Sequence, residues 1–249
     1  MLEFKDKVVV ITGGAQGIGR CIADDFMQQG AITVVIDLQE IKDSTYHYTF
    51  KGDIADKEVL ELFVHTVIER FGKIDYLINN ACIGRGGLFD AAYEDFLYVQ
   101  QIGVVAPFML SKLFSPYFSS QGAIINIAST RAFQSQANTE CYSAAKGGII
   151  ALTYSLAVSL RGKVRVNAIS PGWIDTTLQA CLSEEDHAQH LVGRVGQPHD
   201  ISHAVQFLCS TKASFITGEN IIIDGGMSKV MTYHNDEGWH FSNKTTSPG

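Results

Sequence analysis

A chain of 249 residues that is 46% hydrophobic is long enough to bury a sizeable core, and it fits one large α/β domain at least as well as two small ones. Its formal net charge of −7, with no basic block, argues against nucleic acid as a partner. The five cysteines (Cys21, Cys82, Cys141, Cys181 and Cys209) are odd in number and scattered; they show neither a disulfide framework nor metal-ligand spacing, so a reducing compartment and no metal are expected.

The N-terminal stretch MLEFKDKVVVITGG sets Glu3, Lys5, Asp6 and Lys7 before a short apolar run, unlike a signal peptide. No apolar run approaches about 18 residues, so no membrane span is expected and a soluble cytoplasmic protein is the default. VVVIT (8–12) reads as a buried strand. GIGRCIADDFMQQG (17–30) reads as a helix, with Ile18, Ile22 and Phe26 on one stripe and Gly30 at its C-terminal cap. ITVVID (32–37) is a second strand and YHYTFKGDI (46–54) a weaker third. VLELFVHTVIERFG (59–72) is an amphipathic helix ending at Gly72, and IDYLINNA (74–81) is a fourth strand. A helical stretch begins near Asp90. AIINIAS (123–129), VRVNAISPG (164–172) and NIIIDGG (220–226) are the fifth, sixth and seventh strands.

Strands separated repeatedly by helices, each strand a continuous apolar run, argue for a parallel sheet covered on both faces and joined by right-handed crossovers. The expected architecture is a single doubly wound α/β domain of Rossmann type over residues 1–226, with a seven-stranded parallel sheet and helices on both faces. Residues 227–249 are polar and aperiodic and read as a tail. Trp239 and Phe241 give that tail something to bury, so docking on the pocket or a neighbouring subunit and a free end both stand.

TGGAQGIG (12–19) lies where the first strand turns into the first helix. Gly13, Gly17 and Gly19 allow a tight turn and a close backbone approach, and the amides at the helix start suit a pyrophosphate. Gln16 and Ile18, between the glycines, belong to the same candidate cofactor set. The spacing is G-x-x-x-G-x-G rather than G-x-G-x-x-G. Asp37 ends the second strand, 18 residues past Gly19, where a carboxylate can accept from an adenosine ribose. A 2′-phosphate there would meet like charge from Asp37 and Glu40 with no arginine following, so NAD is expected over NADP.

ECYSAAKGG (140–148) puts Tyr142 one helical turn ahead of Lys146, on one face if the segment is helical. A free tyrosine has a pKa near ~10 and a neighbouring ammonium favours the phenolate. Such a pair can exchange a proton with an alcohol.

These motifs resemble the short-chain dehydrogenase/reductase family in its compact form, over almost everything up to Gly226. TGGAQGIG resembles its cofactor loop and NNA (79–81) its Asn-Asn-Ala element, with Asn80 among the cofactor contacts. Asp53-Ile54 sits where the family meets adenine. Ser129 lies 13 residues before Tyr142, as the family's serine does, and Y-S-A-A-K resembles the active-site motif. PGWIDT (171–176), with Ile174 and Thr176, is similar to the segment on the nicotinamide side, and DGG (224–226) to the closing motif. The resemblance implies Tyr142 as general acid/base, Ser129 orienting the substrate oxygen, and Lys146 holding the nicotinamide ribose and lowering the tyrosine's pKa. One position departs. The family usually has an asparagine in the helix before the fifth strand, thought to hold a water linking the lysine to solvent; here Gly103 stands there, and Gln100, Gln101 or a backbone-held water would have to substitute. The helix after Lys146, GGIIALTYSLAVSL, is apolar on nearly every face; such a helix must be buried all round, which points to a subunit interface and, with the resemblance, to a homodimer or homotetramer.

The substrate pocket is expected among Ile83, Gly84, Arg85, Arg131, Phe133, Gln134, Trp173, Ile174 and Leu178. That mixture suits a bulky, mainly apolar alcohol carrying an anion, such as a hydroxysteroid or bile acid; a sugar or polyol stays open. Residues 176–194 are a lid candidate, in which His187 and His190 are expected to be exposed. Besides an alcohol dehydrogenase or ketone reductase, an NAD-binding regulatory protein that has lost turnover, and an epimerase or dehydratase of the extended relatives, are alternatives. The complete Ser-Tyr-Lys set disfavours the former; the glycine spacing and the lack of a long C-terminal substrate domain disfavour the latter.

Overall fold

The computed structural model describes residues 2–41, 45–177, 181–238 and 240. Seven strands, β1 (Val8–Thr12), β2 (Ile32–Asp37), β3 (Tyr48–Lys51), β4 (Ile74–Asn79), β5 (Phe118–Ile127), β6 (Val164–Pro171) and β7 (Asn220–Ile223), form one sheet. Its order is β3-β2-β1-β4-β5-β6-β7 and every pairing is parallel. The chain winds outward from β1 in one direction through β3, then returns to β4 and winds the other way. The crevice opened where β1 and β4 diverge is where ligands bind in sheets of this kind.

The strands are apolar throughout because both faces are covered. Val9 and Ile11 of β1 belong to one core, with Ile22 and Phe26 of helix α1 (Gly17–Gln28) and Ile201, Val205 and Leu208 of helix α7 (Pro198–Cys209). Val8 and Val10 point the other way, into a core with Phe63 of α2 (Lys57–Phe71), Leu110 and Phe114 of α4 (Ala106–Phe114) and Leu156 of α5 (Glu140–Ser159). Alternation along a strand thus feeds two cores at once. Helix α2 carries both end signals: Asp56 accepts from the Glu58 N–H at 2.9 Å, and Gly72 closes the other end in the left-handed region.

Helix α3 (Tyr93–Gln100) runs into α4 through a π-helical turn, Gln101–Val105. Residues 93–117 together are long and apolar enough to cross a membrane. Their stripe of Val99, Ile102, Ala106, Leu110 and Phe114 is buried against the rest of the chain, while Phe96, Leu97, Val105 and Phe108 stay exposed. A five-residue helix α6 (Glu184–Ala188) is capped by Ser183 and Asp186 acting reciprocally.

The main differences from the sequence reading lie at element ends. The third strand is 48–51 rather than 46–54, and the fifth starts at Phe118 rather than Ala123. The polar stretch FSSQG hides that start, yet Phe118 pairs with Ile74 and Ser119 donates to Asp75. Within one chain the helix after Lys146 is not buried all round. One side of α5 is open, with Tyr154 48% and Val158 71% exposed, and Val105 and Phe108 of the preceding helical segments are exposed as well. In the tail, residues 229–236 are exposed; Trp239 and Phe241 lie outside the described residues.

Asp75 ties three strands together at their N-terminal edge. Its carboxylate accepts from Lys7 Nζ (3.0 Å), the Val8 N–H (3.0 Å) and the Ser119 hydroxyl. Burial alone would raise its pKa, but the bonds from Ser119, Val8 and Lys7 outweigh it and hold the carboxyl below the usual range. A depressed native pKa stabilises the fold above the unfolded value of about 3.9 and loses that contribution as pH falls through the native value. Asp75→Asn is therefore expected to cost about 1–3 kcal/mol at pH 7 in denaturant unfolding, and the gap from the unsubstituted chain should narrow below pH ~4. An unchanged gap across that range would remove Asp75 from the acid response.

Candidate active site

The crevice at the C-terminal ends of the strands is a cavity of about 790 Å³. It is lined by Gly13, Gln16, Gly17, Ile18 and Gly19 of the β1–α1 turn; by Asp37, Asp53, Ile54 and Asn80; by Ser129, Tyr142 and Lys146; and by Ile174 and Thr176. Every residue singled out from the sequence as catalytic or cofactor-binding therefore faces one cleft.

The glycine turn fits an anion. The N-cap Gln16 makes no side-chain capping bond and the first turn of α1 carries no acid, so its amides are not neutralised locally. Gly17 sits at φ +58, and a Cβ at Gly19 would lie 2.1 Å from the Gly13 carbonyl oxygen. The turn keeps this shape because Asn80 stitches it to β4. The Asn80 Nδ2 donates to the carbonyls of Thr12 (3.0 Å) and Gly13 (2.9 Å), while the Thr12 hydroxyl accepts from the N–H groups of Asn80 and Ala81, each at 3.0 Å. Asn80 thus shapes the cradle as well as lining it. At the opposite rim Thr176 packs over Gly17, where a Cβ would meet it at 3.4 Å.

Asp37 accepts from the Ala15 N–H (2.9 Å) and the Gln39 N–H (2.9 Å). Among the described residues lining the cleft, Lys146 is the only lysine or arginine. Asp53 accepts from the Ala55 N–H and, at 2.8 Å, from the Tyr98 hydroxyl. Burial, then the Asp53 carboxylate, push the Tyr98 phenol above the usual range. Tyr98 was not among the residues expected here; it reaches the site from α3, on the polar-looking stretch YEDFLYVQ, and no local sequence signal marks it.

Tyr142 and Lys146 occupy the first turns of α5. Lys146 is buried, donates from Nζ to the Ile127 carbonyl at 2.6 Å, and holds its ammonium 5.3 Å from the Tyr142 ring centroid. Ser129 follows β5 and accepts the Arg131 N–H on its Oγ at 3.2 Å. Arg131 sets its guanidinium 5.8 Å from the Tyr142 ring centroid and donates to Gln136.

The expected substrate pocket divides. Ile83 and Ile174 line the main cleft. Arg85 is turned onto the Tyr98 ring, 4.1 Å from its centroid, and pairs with Asp95 at 3.1 Å, so its charge is engaged on α3. Trp173 lines a second cavity of about 380 Å³ with Arg194, Asp200 and Asp224. Gly84, Arg131, Phe133 and Gln134 stand outside the cleft lining, and Leu178 lies outside the described residues. His190, expected to be exposed, is buried and bonded through Nδ1 to the Asp186 carbonyl, because α6 folds it under Gly225; His187 is half-buried and takes the Val195 N–H.

A family model described as enoyl-(acyl carrier protein) reductase matches residues 13–228. The chain is 42% identical to an uncharacterized oxidoreductase of Thermotoga maritima over 94% of this chain and 99% of that one. The chain belongs to the short-chain dehydrogenase/reductase family. Among solved structures, this short-chain dehydrogenase resembles an apo SCOR enzyme from Clostridium thermocellum at a TM-score of 0.89 and 45% identity, covering 95% of this chain and 98% of that one. It also resembles the aldohexose dehydrogenase of Thermoplasma acidophilum at a TM-score of 0.86 and 28% identity, over 94% and 98% of the two chains. It is an oxidoreductase of a family that uses NAD(P).

Gly103, where the family usually carries asparagine, lies buried within the π-helical turn. A Cβ there would stand 2.8 Å from the Cβ of Ala145, next to Lys146 on α5. Neither glutamine compensates at the lysine: Gln100 donates to the Cys141 carbonyl at 2.9 Å and Gln101 is exposed. In this short-chain dehydrogenase the position serves close helix packing. Gly103→Ala should cost about 1–3 kcal/mol by overpacking, and Ala145→Gly in that background should recover part of the loss. A neutral Gly103→Ala in thermal unfolding would refute this account.

Proposed function

We propose that this chain is an NAD-dependent dehydrogenase that interconverts a secondary alcohol and a ketone, with Tyr142 as general acid/base. The observation that carries the reading is that Ser129, Tyr142 and Lys146 line the same cleft as the uncapped glycine turn. When bound, a nicotinamide dinucleotide supplies hydride exchange at carbon. The residues of this chain do the rest. Tyr142 takes the hydroxyl proton as the carbinol carbon gives up its hydride and returns it in the reverse direction. Ser129 donates a hydrogen bond to the same oxygen and steadies its developing charge. Lys146 keeps a positive charge beside the phenol and within reach of a ribose. The Asp37 carboxylate accepts ribose hydroxyls and repels a 2′-phosphate, and the absence of any lysine or arginine but Lys146 among the described residues lining the cleft supports NAD over NADP.

Ile83 and Ile174, which line the cleft, support a bulky apolar alcohol; a hydroxysteroid or bile acid has that character. Likeness to an aldohexose dehydrogenase supports a sugar or polyol as the second reading. A panel holding both classes, run with NAD and with NADP and followed by NADH absorbance, separates them. Tyr142→Phe should lower kcat by at least about 10²-fold with little change in cofactor affinity. Asp37→Ala should move the NAD/NADP ratio of kcat/KM toward NADP by tenfold or more. Undiminished turnover in the first variant, or an unmoved ratio in the second, would refute the respective role.

The open side of α5 supports self-association. Ala151, Tyr154 and Val158 of α5 are exposed, as are Val105 and Phe108 of the helical segments packed against it, and a second copy would cover them. Light scattering should give the mass of a dimer or tetramer, and Val158→Asp should shift it toward the single chain; a monomeric unsubstituted protein would refute this.

A further inference from the structure

On the outer layer opposite α5, α1 packs along α7. Cys21 and Asp25 are one turn apart on α1, and His199 and His203 are one turn apart on α7. Three atoms of this group are mutually adjacent. Cys21 Sγ lies 3.2 Å from His199 Nδ1 and 3.7 Å from Asp25 Oδ2, and His199 Nδ1 lies 3.0 Å from Asp25 Oδ2. The same three residues form a group whose donor atoms all fall within 4.8 Å of one another.

We propose that Cys21, Asp25 and His199 bind a divalent transition-metal ion of the zinc type, clamping α1 to α7. The geometry carries the argument. Bonds of about 2.0–2.3 Å at tetrahedral angles hold sulfur, nitrogen and oxygen donors about 3.3–3.6 Å apart, and all three separations come within about 0.4 Å of that range. The donor set is thiolate, imidazole and carboxylate, which suits Zn2+ and excludes the all-oxygen cages of Mg2+ and Ca2+. The fourth position falls to water or to His203, whose ring stacks on that of His199 at 5.8 Å.

The local charge favours a cation. Asp24 and Asp25 stand beside the thiol, with Arg20 reaching only Asp24, at 3.7 Å. A bound ion takes the place of the Cys21 thiol proton, which passes to solvent. Asp25 is 9% exposed and held in place, while the His199 side chain is 60% exposed, so an ion can enter without opening the core. Gly17 and Gly19 lie one turn before Cys21 on the same helix, so the clamp would steady the helix whose start forms the anion cradle.

The test uses the full chain, stripped with a chelator and titrated with Co2+ alone, then with competing Zn2+. One equivalent of Co2+ should give the near-ultraviolet thiolate-to-cobalt band and the intense visible bands of a four-coordinate site, both removed by Zn2+. Zn2+ alone should raise the unfolding temperature. Cys21→Ser should abolish the thiolate band. His199→Ala, judged against its own metal-free unfolding temperature, should weaken Zn2+ binding by at least about tenfold. Absence of the thiolate band in the unsubstituted chain, its survival in Cys21→Ser, or equal Zn2+ affinity in His199→Ala would overturn the proposal and leave the group as a hydrogen-bonded triad.

Discussion

Where β1 and β4 part, two backbones turn away from each other and would leave polar groups without partners. Asn80 and Thr12 close that seam: one carboxamide bonds two carbonyls of the glycine turn, and one hydroxyl takes two N–H groups from the end of β4. A buried amide left without such a bond costs of the order of 1–3 kcal/mol, so four bonds across the seam set the shape of the turn firmly. The crevice is consequently wide enough for a dinucleotide and rigid along its floor. The uncapped start of α1 can then present its amides to an anion rather than to its own side chains.

The other end of the cleft depends on a buried cation. Lys146 is 4% exposed, makes no carboxylate pair among the described residues, and donates to a main-chain carbonyl of β5. A buried ammonium is costly unless polar groups surround it. Here the carbonyl dipole and the face of the Tyr142 ring share that duty, and the charge is not cancelled by an acid. It remains available to oxygen atoms that gain negative character in the cleft, which is what the proposed proton transfer at Tyr142 would need. The same helix that places Lys146 leaves its far side apolar and open. Tyr142 and Lys146 thus face the cleft while Tyr154 and Val158 of the same helix face outward.

Much of this was legible in the residues. Strands buried on both faces read as unbroken apolar runs, so β1, β2 and β4 were plain, as were the glycine turn that follows β1 and the acid that ends β2. What stayed hidden depends on tertiary partners. The start of β5 is polar because Ser119 serves Asp75, a contact between residues 44 apart. Tyr98 meets Asp53 across 45 residues, and Cys21 meets His199 across 178. No local period encodes such meetings. Arg85 and His190 were misplaced for the same reason: an arginine beside a motif says nothing about whether Asp95 and an aromatic ring already hold it, and a histidine in a polar segment gives no sign that a short capped helix will tuck it under Gly225.

Gly103 shows how one residue type can carry two different meanings. Judged as a missing side chain, it suggests a weakened proton path. In the fold it lies within a π-helical turn, with Ala145 so close that a Cβ would stand 2.8 Å away. The extra residue of that turn lets α3 present Tyr98 to Asp53 while α4, beyond it, keeps Leu110 and Phe114 in the core. The absent Cβ then lets α5 come down against the turn, bringing Ala145 and its neighbour Lys146 close to the sheet. A side chain at that position would supply a polar atom but push the lysine-bearing helix outward. This chain has close approach instead, and the carbonyl of Ile127, rather than a side-chain amide, is what the lysine finds there.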